Sequence, residues 1–539
     1  MKIGYIVKEA TSDYFYFTVD PKEVNKIGIG SILKVIINNT PYYAIIESLK
    51  SEAIEEERLF DFEAIDIYYG KIEKKIFLIY GKAIFIGGLI NEKVVPEKPS
   101  VPPIPGDPVY LPEDWEIEKI YKFDDKYTIT IGKIRIQNKD FYIQLLIKNL
   151  LIKHTGIFGI TGSGKSTTVA HLVNELTNKG IPIFIFDVHR DYVFSYDTAI
   201  VITFSNREKE LIEKIAREKN RKIKVYTAKL RLNLLGNYSE EFLGIQQKQY
   251  THVFNVLVSL LKKNPSSLSE LLDWIDGKSQ DINKIFEKYP EGKRNEIRLS
   301  LKSRLSRIYD WNIFSRDSKD YGDDLFVILD NIIEKIRTFG EELETYEENG
   351  EILLKRKNEK NLPLVIFDLY PLSIEEQRIL LDIVLEYIYN KYKRFKLEGN
   401  PDILGIVIEE AHRFAAKDVK TNTRISMIAR EGRKFGLGLI IVSQIPSKII
   451  EDIISQLNTF IFLKIINPKD LEFIRRTCPY LTKEYFDALT KLEVGKCLVV
   501  GSAVKNPSIL SVIKTVEVGG AEEDIERKIK ERVEKFMSL

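Results

Sequence analysis

Gly159-Ile-Thr161-Gly162-Ser163-Gly164-Lys165-Ser166-Thr167 decides how the rest of this chain is read. The stretch has the glycine and Lys-Ser spacing of a phosphate-binding P-loop. Apolar Ile157-Phe158 lead into it and a helical run from Thr167 to Lys179 follows, which is the strand, glycine loop and helix context the motif requires. Glycines let successive N–H groups curl into one concavity, and the following helix adds unpaired donors and the positive end of its dipole. A polyphosphate binds there mainly through backbone. The expected nucleotide-binding residues are Thr161, Gly162, Ser163, Gly164, Lys165, Ser166 and Thr167. Lys165 is expected to reach the β- and γ-phosphates of ATP and the Ser166 hydroxyl to hold Mg²⁺. The stretch implies a nucleoside triphosphatase.

A chain of 539 residues implies about two to four domains. With 44% hydrophobic and 30% charged residues it is globular rather than disordered. A net charge of +2 does not advertise nucleic-acid binding, although a ring can gather its cations in a pore while its outer surface stays acidic. Cys478 and Cys497 are the two cysteines and lie in no metal-ligand spacing, so neither a disulfide framework nor a zinc site is expected. With no apolar leader and no run long enough to span a bilayer, a cytoplasmic protein without a membrane anchor is expected. Abundant Ile, Lys, Glu and Tyr suit a thermophile, though AT-rich coding gives a similar bias.

From Lys2 to about Ile86 short alternating runs, such as Tyr14–Val19, Ile32–Ile37 and Lys75–Tyr80, are divided by turn clusters, the pattern of a small β-barrel or sandwich assigned to 1–94. The proline-dense stretch 95–117 reads as an extended linker. Near-continuous apolar runs at Ile181–Asp187, Leu364–Asp368, Leu404–Glu409, Leu439–Gln444 and Phe460–Lys464 predict a parallel sheet covered on both faces. This α/β core is expected over 118–204 and 351–518, interrupted by a helical insertion at 205–350 with helices such as Glu240 to Lys263 and Ile297 to Ile308. Ser373-Ile-Glu-Glu376 has capping-box spacing and predicts a helix running through Tyr392. A charged helix is predicted over 519–539, either docked on its own chain or clasping a neighbouring subunit.

Leu404-Gly-Ile-Val-Ile-Glu409-Glu410-Ala411-His412 fits a Walker B strand, which delivers two carboxylates at its C-terminal end. Glu409 is expected to support Mg²⁺ and Glu410 to polarise the attacking water. Downstream, Ala429-Arg430-Glu-Gly-Arg433-Lys-Phe-Gly436 precedes the strand that ends in Gln444. That glutamine can sense the γ-phosphate, and an arginine there can act as a finger on a neighbour's nucleotide, or simply close a solvated helix end.

Together with Phe186-Asp187-Val-His189-Arg190-Asp191-Tyr192 and Val442-Ser-Gln444-Ile445-Pro-Ser447, these motifs resemble, in the same order, the HerA helicases of archaea and some bacteria. HerA belongs to the larger HerA and FtsK group of DNA-pumping ATPases. The resemblance covers nearly the whole chain and implies a RecA-like P-loop ATPase core carrying an N-terminal barrel and an inserted helical domain. It further implies a homo-hexamer that hydrolyses ATP to move on double-stranded DNA beside a NurA-type nuclease. On matching positions Lys165, Glu410, Arg433 and Gln444 are catalytic, Ser166 and Glu409 serve the metal, and Lys153 and Arg430 are trans or accessory groups. Two departures stand out: Arg190 replaces a usual glycine with Asp191 after it in place of Glu, and Ile445 replaces a usual arginine.

Lys417-Asp-Val-Lys420-Thr-Asn-Thr-Arg424 follows the Walker B turn. Its cations Lys417, Lys420 and Arg424 suit salt-sensitive phosphate contacts in a pore, or an ordinary solvated loop. Two other functions fit parts of the pattern: a conjugation-type or viral DNA-transfer ATPase, and a nucleotide-gated ring that recruits partners without pumping DNA.

Overall fold

The computed structural model describes the chain apart from residues 21, 29, 54–76, 91–92, 124, 137–138, 318, 339–342, 349–350, 357–363, 420–421, 517, 519–531 and 533–539. It divides into two compact units. One comprises Met1–Leu150, Asn458–Leu471 and Cys478–Ile513, the other Leu151–Leu457, Glu472–Thr477 and Lys514–Leu539.

The first unit opens with β1 (Lys2–Ala10), β2 (Tyr14–Val19), β3 (Ile32–Ile37), β4 (Thr40–Ala53), β5 (Phe77–Ile90), β6 (Lys93–Val95) and β7 (Pro108–Tyr110). Alternation turns every second side chain inward, so Phe15, Phe17 and Val19 of β2 meet Leu33 and Val35 of β3 in one core. The order β2-β1-β7-β3-β4-β5 closes through a β2–β5 pairing, with β6 lying outside on β5. Closure removes the exposed edges that an open sheet of this size would present. The stretch 95–117 is therefore more than a linker. Its Pro108–Tyr110 is a barrel strand between β1 and β3, with Val109 fully buried, and proline is tolerated because it is the strand's first residue.

β8 (Thr128–Ile136) and β9 (Lys139–Leu146) form an antiparallel hairpin that belongs to this first unit rather than to the ATPase core expected from residue 118. Their half-buried alternation marks them as antiparallel strands with one solvated face.

The second unit contains β10 (Thr155–Phe158), β11 (Ile183–Asp187), β12 (Thr198–Thr203), β13 (Lys222–Lys229), β14 (Asp323–Asp324), a hairpin of β15 (Leu343–Glu348) and β16 (Glu351–Arg356), β17 (Leu364–Asp368), β18 (Leu404–Ile408) and β19 (Leu437–Ser443). The hairpin aside, these lie in the order β14-β13-β12-β17-β11-β18-β19-β10, all parallel. Every residue of β11, β17, β18 and β19 is buried, which is why these strands read as unbroken apolar runs. β13 falls inside the expected helical insertion. Its Lys-Ile-Lys-Val-Tyr-Thr alternation hid it among helices, because near the sheet's margin a strand is not covered on both sides. The run read as one helix from Glu240 to Lys263 is two, Ser239–Leu243 and Thr251–Leu261.

β20 (Thr459–Phe462), β21 (Lys496–Gly501) and β22 (Ser508–Val512) return to the first unit, in the order β20-β21-β22-β8-β9. Phe460–Phe462, expected in the parallel sheet, runs antiparallel to β21, since an apolar run encodes burial but not direction. The helix predicted over 519–539 lies almost wholly outside the described residues.

Candidate functional site

The common direction of β10, β18 and β19 brings their last residues to one sheet edge, where ligands of open α/β sheets bind. Phe158 is level with Ser443 and Ile408 with Ile441, so the glycine loop, Glu409-Glu410 and Gln444 emerge side by side. The loop enters the helix Lys165–Asn178 through Gly164, whose φ of 100° is left-handed backbone that a side chain would strain. The N–H groups of that first turn have no acceptors within the helix. Lys165, only 7% exposed, crosses the loop and donates through Nζ to the Ile160 carbonyl at 2.9 Å.

Two contacts draw in residues that sequence reasoning had not placed in the site. Ser166 Oγ donates to Asp191 Oδ2 at 2.9 Å, and the Tyr192 hydroxyl donates to Glu409 Oε1. Asp191 and Tyr192 sit in the turn after β11, where their N–H groups donate to the Asp187 carboxylate at 3.1 and 2.8 Å. A signal for them was present. β11 and β17 both end in Ile-Phe-Asp, so with Glu409 three neighbouring strands deliver a carboxylate to the same edge.

Burial, reinforced by the neighbouring carboxylates, pushes Asp187 up to about 8 and Glu409 up to about 7. The Ser166 hydroxyl with the Asp191 and Glu409 carboxylates is an oxygen donor set that fits Mg²⁺, and a dication there offsets the cost of keeping buried acids ionised. Among the described residues no three acidic, His or Cys side chains form a closed metal cage, whereas Mg²⁺ usually keeps water and phosphate oxygens among its ligands. Glu410 differs. Burial opposes its charge, but His412 Nδ1 at 3.1 Å, the Gln444 amide and the Lys165 ammonium hold its carboxyl below the ordinary value. Glu410 itself has a left-handed φ of 47°, the kind of local strain that collects at functional positions. Gln444 also accepts from Thr161 Oγ1, so it joins the glycine loop to Glu410.

Lys153, Arg430 and Arg433 are not with this group. Lys153 precedes β10 and Arg433 precedes β19, so both lie at the opposite sheet edge, and both are exposed. The seven residues of β19 place that edge roughly 20 Å from the P-loop. His154 ties the arginine segment down. Its Nδ1 accepts the Leu439 N–H at 2.9 Å, which leaves Nε2 to donate to the Ala429 carbonyl at 3.0 Å. Gly436, at φ 82°, turns the chain from Arg433 into β19, and a Cβ there would meet the Asp402 carbonyl oxygen at 1.8 Å. Arg430 is already paired with Asp452.

The expected DNA-facing cations separate. Lys417 is exposed, and Lys420 lies outside the described residues. Arg424 is directed inward, to Glu386 at 2.9 Å and Asp382 at 3.8 Å on the helix Ile374–Leu397, which corrects its reading as a free phosphate contact.

A glycine loop and helix after β10, paired acids after β18 and a glutamine after β19 on one parallel sheet define a P-loop nucleoside triphosphatase. A family model described as the central domain of helicase HerA matches residues 129–388. The chain is 31% identical to the DNA double-strand break repair helicase HerA of Sulfolobus acidocaldarius, over 77% of this chain and 75% of that one. With the protein of the same name from Saccharolobus solfataricus identity is 25%, over 95% and 92%. Among solved structures, plasmid coupling protein TrwB bound to an ATP analogue aligns at 12% identity and a TM-score of 0.47, covering 76% of this chain and 94% of that one. The chain belongs to the HerA helicase family.

Proposed function

We propose that this chain is an ATP-driven translocase on double-stranded DNA, assembled as a homo-hexameric ring and working with a NurA-type nuclease in DNA end resection and double-strand break repair. The observation that carries the reading is the meeting of Lys165, Ser166, Glu409, Glu410 and Gln444 on one sheet edge. The names of the HerA relatives support the repair role.

In this reading residues 161–167 cradle the phosphates of ATP, with Lys165 set across the loop toward the β- and γ-groups. Mg²⁺, held by Ser166 and supported by Glu409 and Asp191, supplies neutralisation of the charge that develops on the transferred phosphoryl group. Glu410, kept ionised by its neighbours, orients the attacking water and draws on its proton. Gln444 bridges Glu410 and the loop, so a γ-phosphate arriving between them alters its contacts. Arg433 and Lys153 stand far from their own P-loop, which supports their reaching the nucleotide of a neighbouring copy, where a planar guanidinium stabilises the transition state. Lys417 and Lys420 carry the proposed DNA contacts.

The test is ATP hydrolysis with and without linear duplex DNA, alongside Glu410→Gln. DNA is expected to raise the wild-type rate. The variant is expected to bind ATP but to turn over about 100-fold more slowly or worse. Rings that form normally yet show no stimulation by DNA would sink the motor and leave the nucleotide-gated scaffold.

A further inference from the structure

Arg190 stands at a left-handed φ of 65°, a backbone state in which glycine is at ease and a long side chain is not. A residue kept there at a conformational cost has a side chain that offsets it. Its side chain is only 13% exposed. Nε donates to Asp368 Oδ1 at 3.1 Å and Nη2 to Asp368 Oδ2 at 2.6 Å, a bidentate pair, while Nη1 donates to Glu208 Oε2 at 2.8 Å. The Tyr370 ring lies 4.7 Å away against its face. Asp368 is fully buried, is the register partner of Asp187 on the neighbouring strand, and also accepts from Thr203 Oγ1 at 3.0 Å.

The residues on either side of this clamp belong to the nucleotide site. Asp187 anchors the N–H groups of Asp191 and Tyr192, Asp191 accepts from Ser166, and Tyr192 donates to Glu409. Arg190 thus fastens that turn to the end of β17, as Tyr192 fastens it to the residue after β18. Removing it would leave Asp368 buried with its cation gone and Glu208 without its partner.

We propose that Arg190 is a positioning residue: clamped on Asp368, it fixes the 187–192 turn in the bend that presents Asp191 to Ser166 and Tyr192 to Glu409. The clamp stands on the geometry alone. Its effect on turnover rests on the ATPase reading above.

Hydrogen exchange over the peptide containing residues 186–196, in full-length protein, tests the clamp in wild type, Arg190→Gly, Arg190→Lys and Arg190→Gly/Asp368→Asn. Arg190→Gly is expected to speed exchange at Asp191 and Tyr192 by about tenfold, although glycine relieves the strained φ. Lysine, a point donor that cannot span both Asp368 oxygens, is expected to recover part of the protection, whereas Asp368→Asn in the double variant removes the unpaired charge but restores no clamp, and is expected to recover less than lysine does. With ATP, the single glycine variant is expected to lose about tenfold in kcat while KM stays within about twofold. Exchange in this turn that is unchanged in Arg190→Gly overturns the proposal. So does a loss of melting temperature with kcat of the folded protein intact, because Arg190 would then only stabilise the fold. A wild type that hydrolyses no ATP under any condition overturns the functional reading instead, and the exchange series still decides the clamp.

Discussion

His154 shows how much a single buried side chain can fix. Both ring nitrogens are used, one accepting from Leu439 and one donating to Ala429, so the ring is neutral and its tautomer is set by its neighbours. Burial holds its pKa down at about 4. An unfolded histidine titrates near 6.5, so between those values the unfolded chain takes up a proton that the folded one refuses. The stabilisation from neutral His154 is complete above pH 6.5, shrinks as pH falls, and is gone by pH 4, a loss of about 3 kcal/mol. Denaturant unfolding of wild type and His154→Asn between pH 7 and 4 checks this: the variant should lack that part of the pH dependence. The same residue explains why sequence reading stops short here. Lys153-His154 reads as a basic pair, and nothing in the string reveals that one member is buried under the arginine segment while the other faces solvent.

Elements whose signals are local were legible, and those that depend on a distant partner were not. The capping box forms as its spacing predicts: Ser373 Oγ accepts the Glu376 N–H and Glu376 Oε2 accepts the Ser373 N–H at 2.9 Å. The tertiary structure adds a load that the motif does not announce, since Glu376 Oε1 also accepts the Asn312 N–H at 2.6 Å from the inserted region. Ser373→Ala is therefore expected to cost about 1 kcal/mol. Glu376→Ala is expected to cost more, because it strands two N–H donors at about 1 to 3 kcal/mol each where they are buried. Chemical denaturation of the two variants side by side measures the difference, and equal losses would contradict the second role. β7 and β13 escaped sequence reading for a related reason. Pro108–Tyr110 is a strand only because β1 and β3 flank it, and Lys222–Lys229 is one only because β12 lies beside it.

Within the second unit, the parallel sheet sets the glycine loop and Arg433 at opposite edges, roughly 20 Å apart along β19. If Arg433 completes a neighbour's site, a subunit with a dead P-loop can still donate its arginine, and one without the arginine can still hold ATP. Lys165→Ala and Arg433→Ala chains, each inactive alone, are expected on mixing to regain up to about a quarter of wild-type hydrolysis, the share of interfaces that pair an intact P-loop with an intact arginine when chains exchange at random. No recovery at any ratio would refute a shared site. By itself the sequence determined the P-loop, the paired glutamates, the barrel's alternation and the family, because glycine spacing, strand-end acids and period-two burial are written in consecutive residues. Only the tertiary structure decided that Arg424 turns inward to Glu386, that Asp191 meets Ser166 and Tyr192 meets Glu409, and that Arg190 is fastened to Asp368. Those are contacts between residues far apart in the chain, and they exist only once the strands have been ordered and their ends brought level.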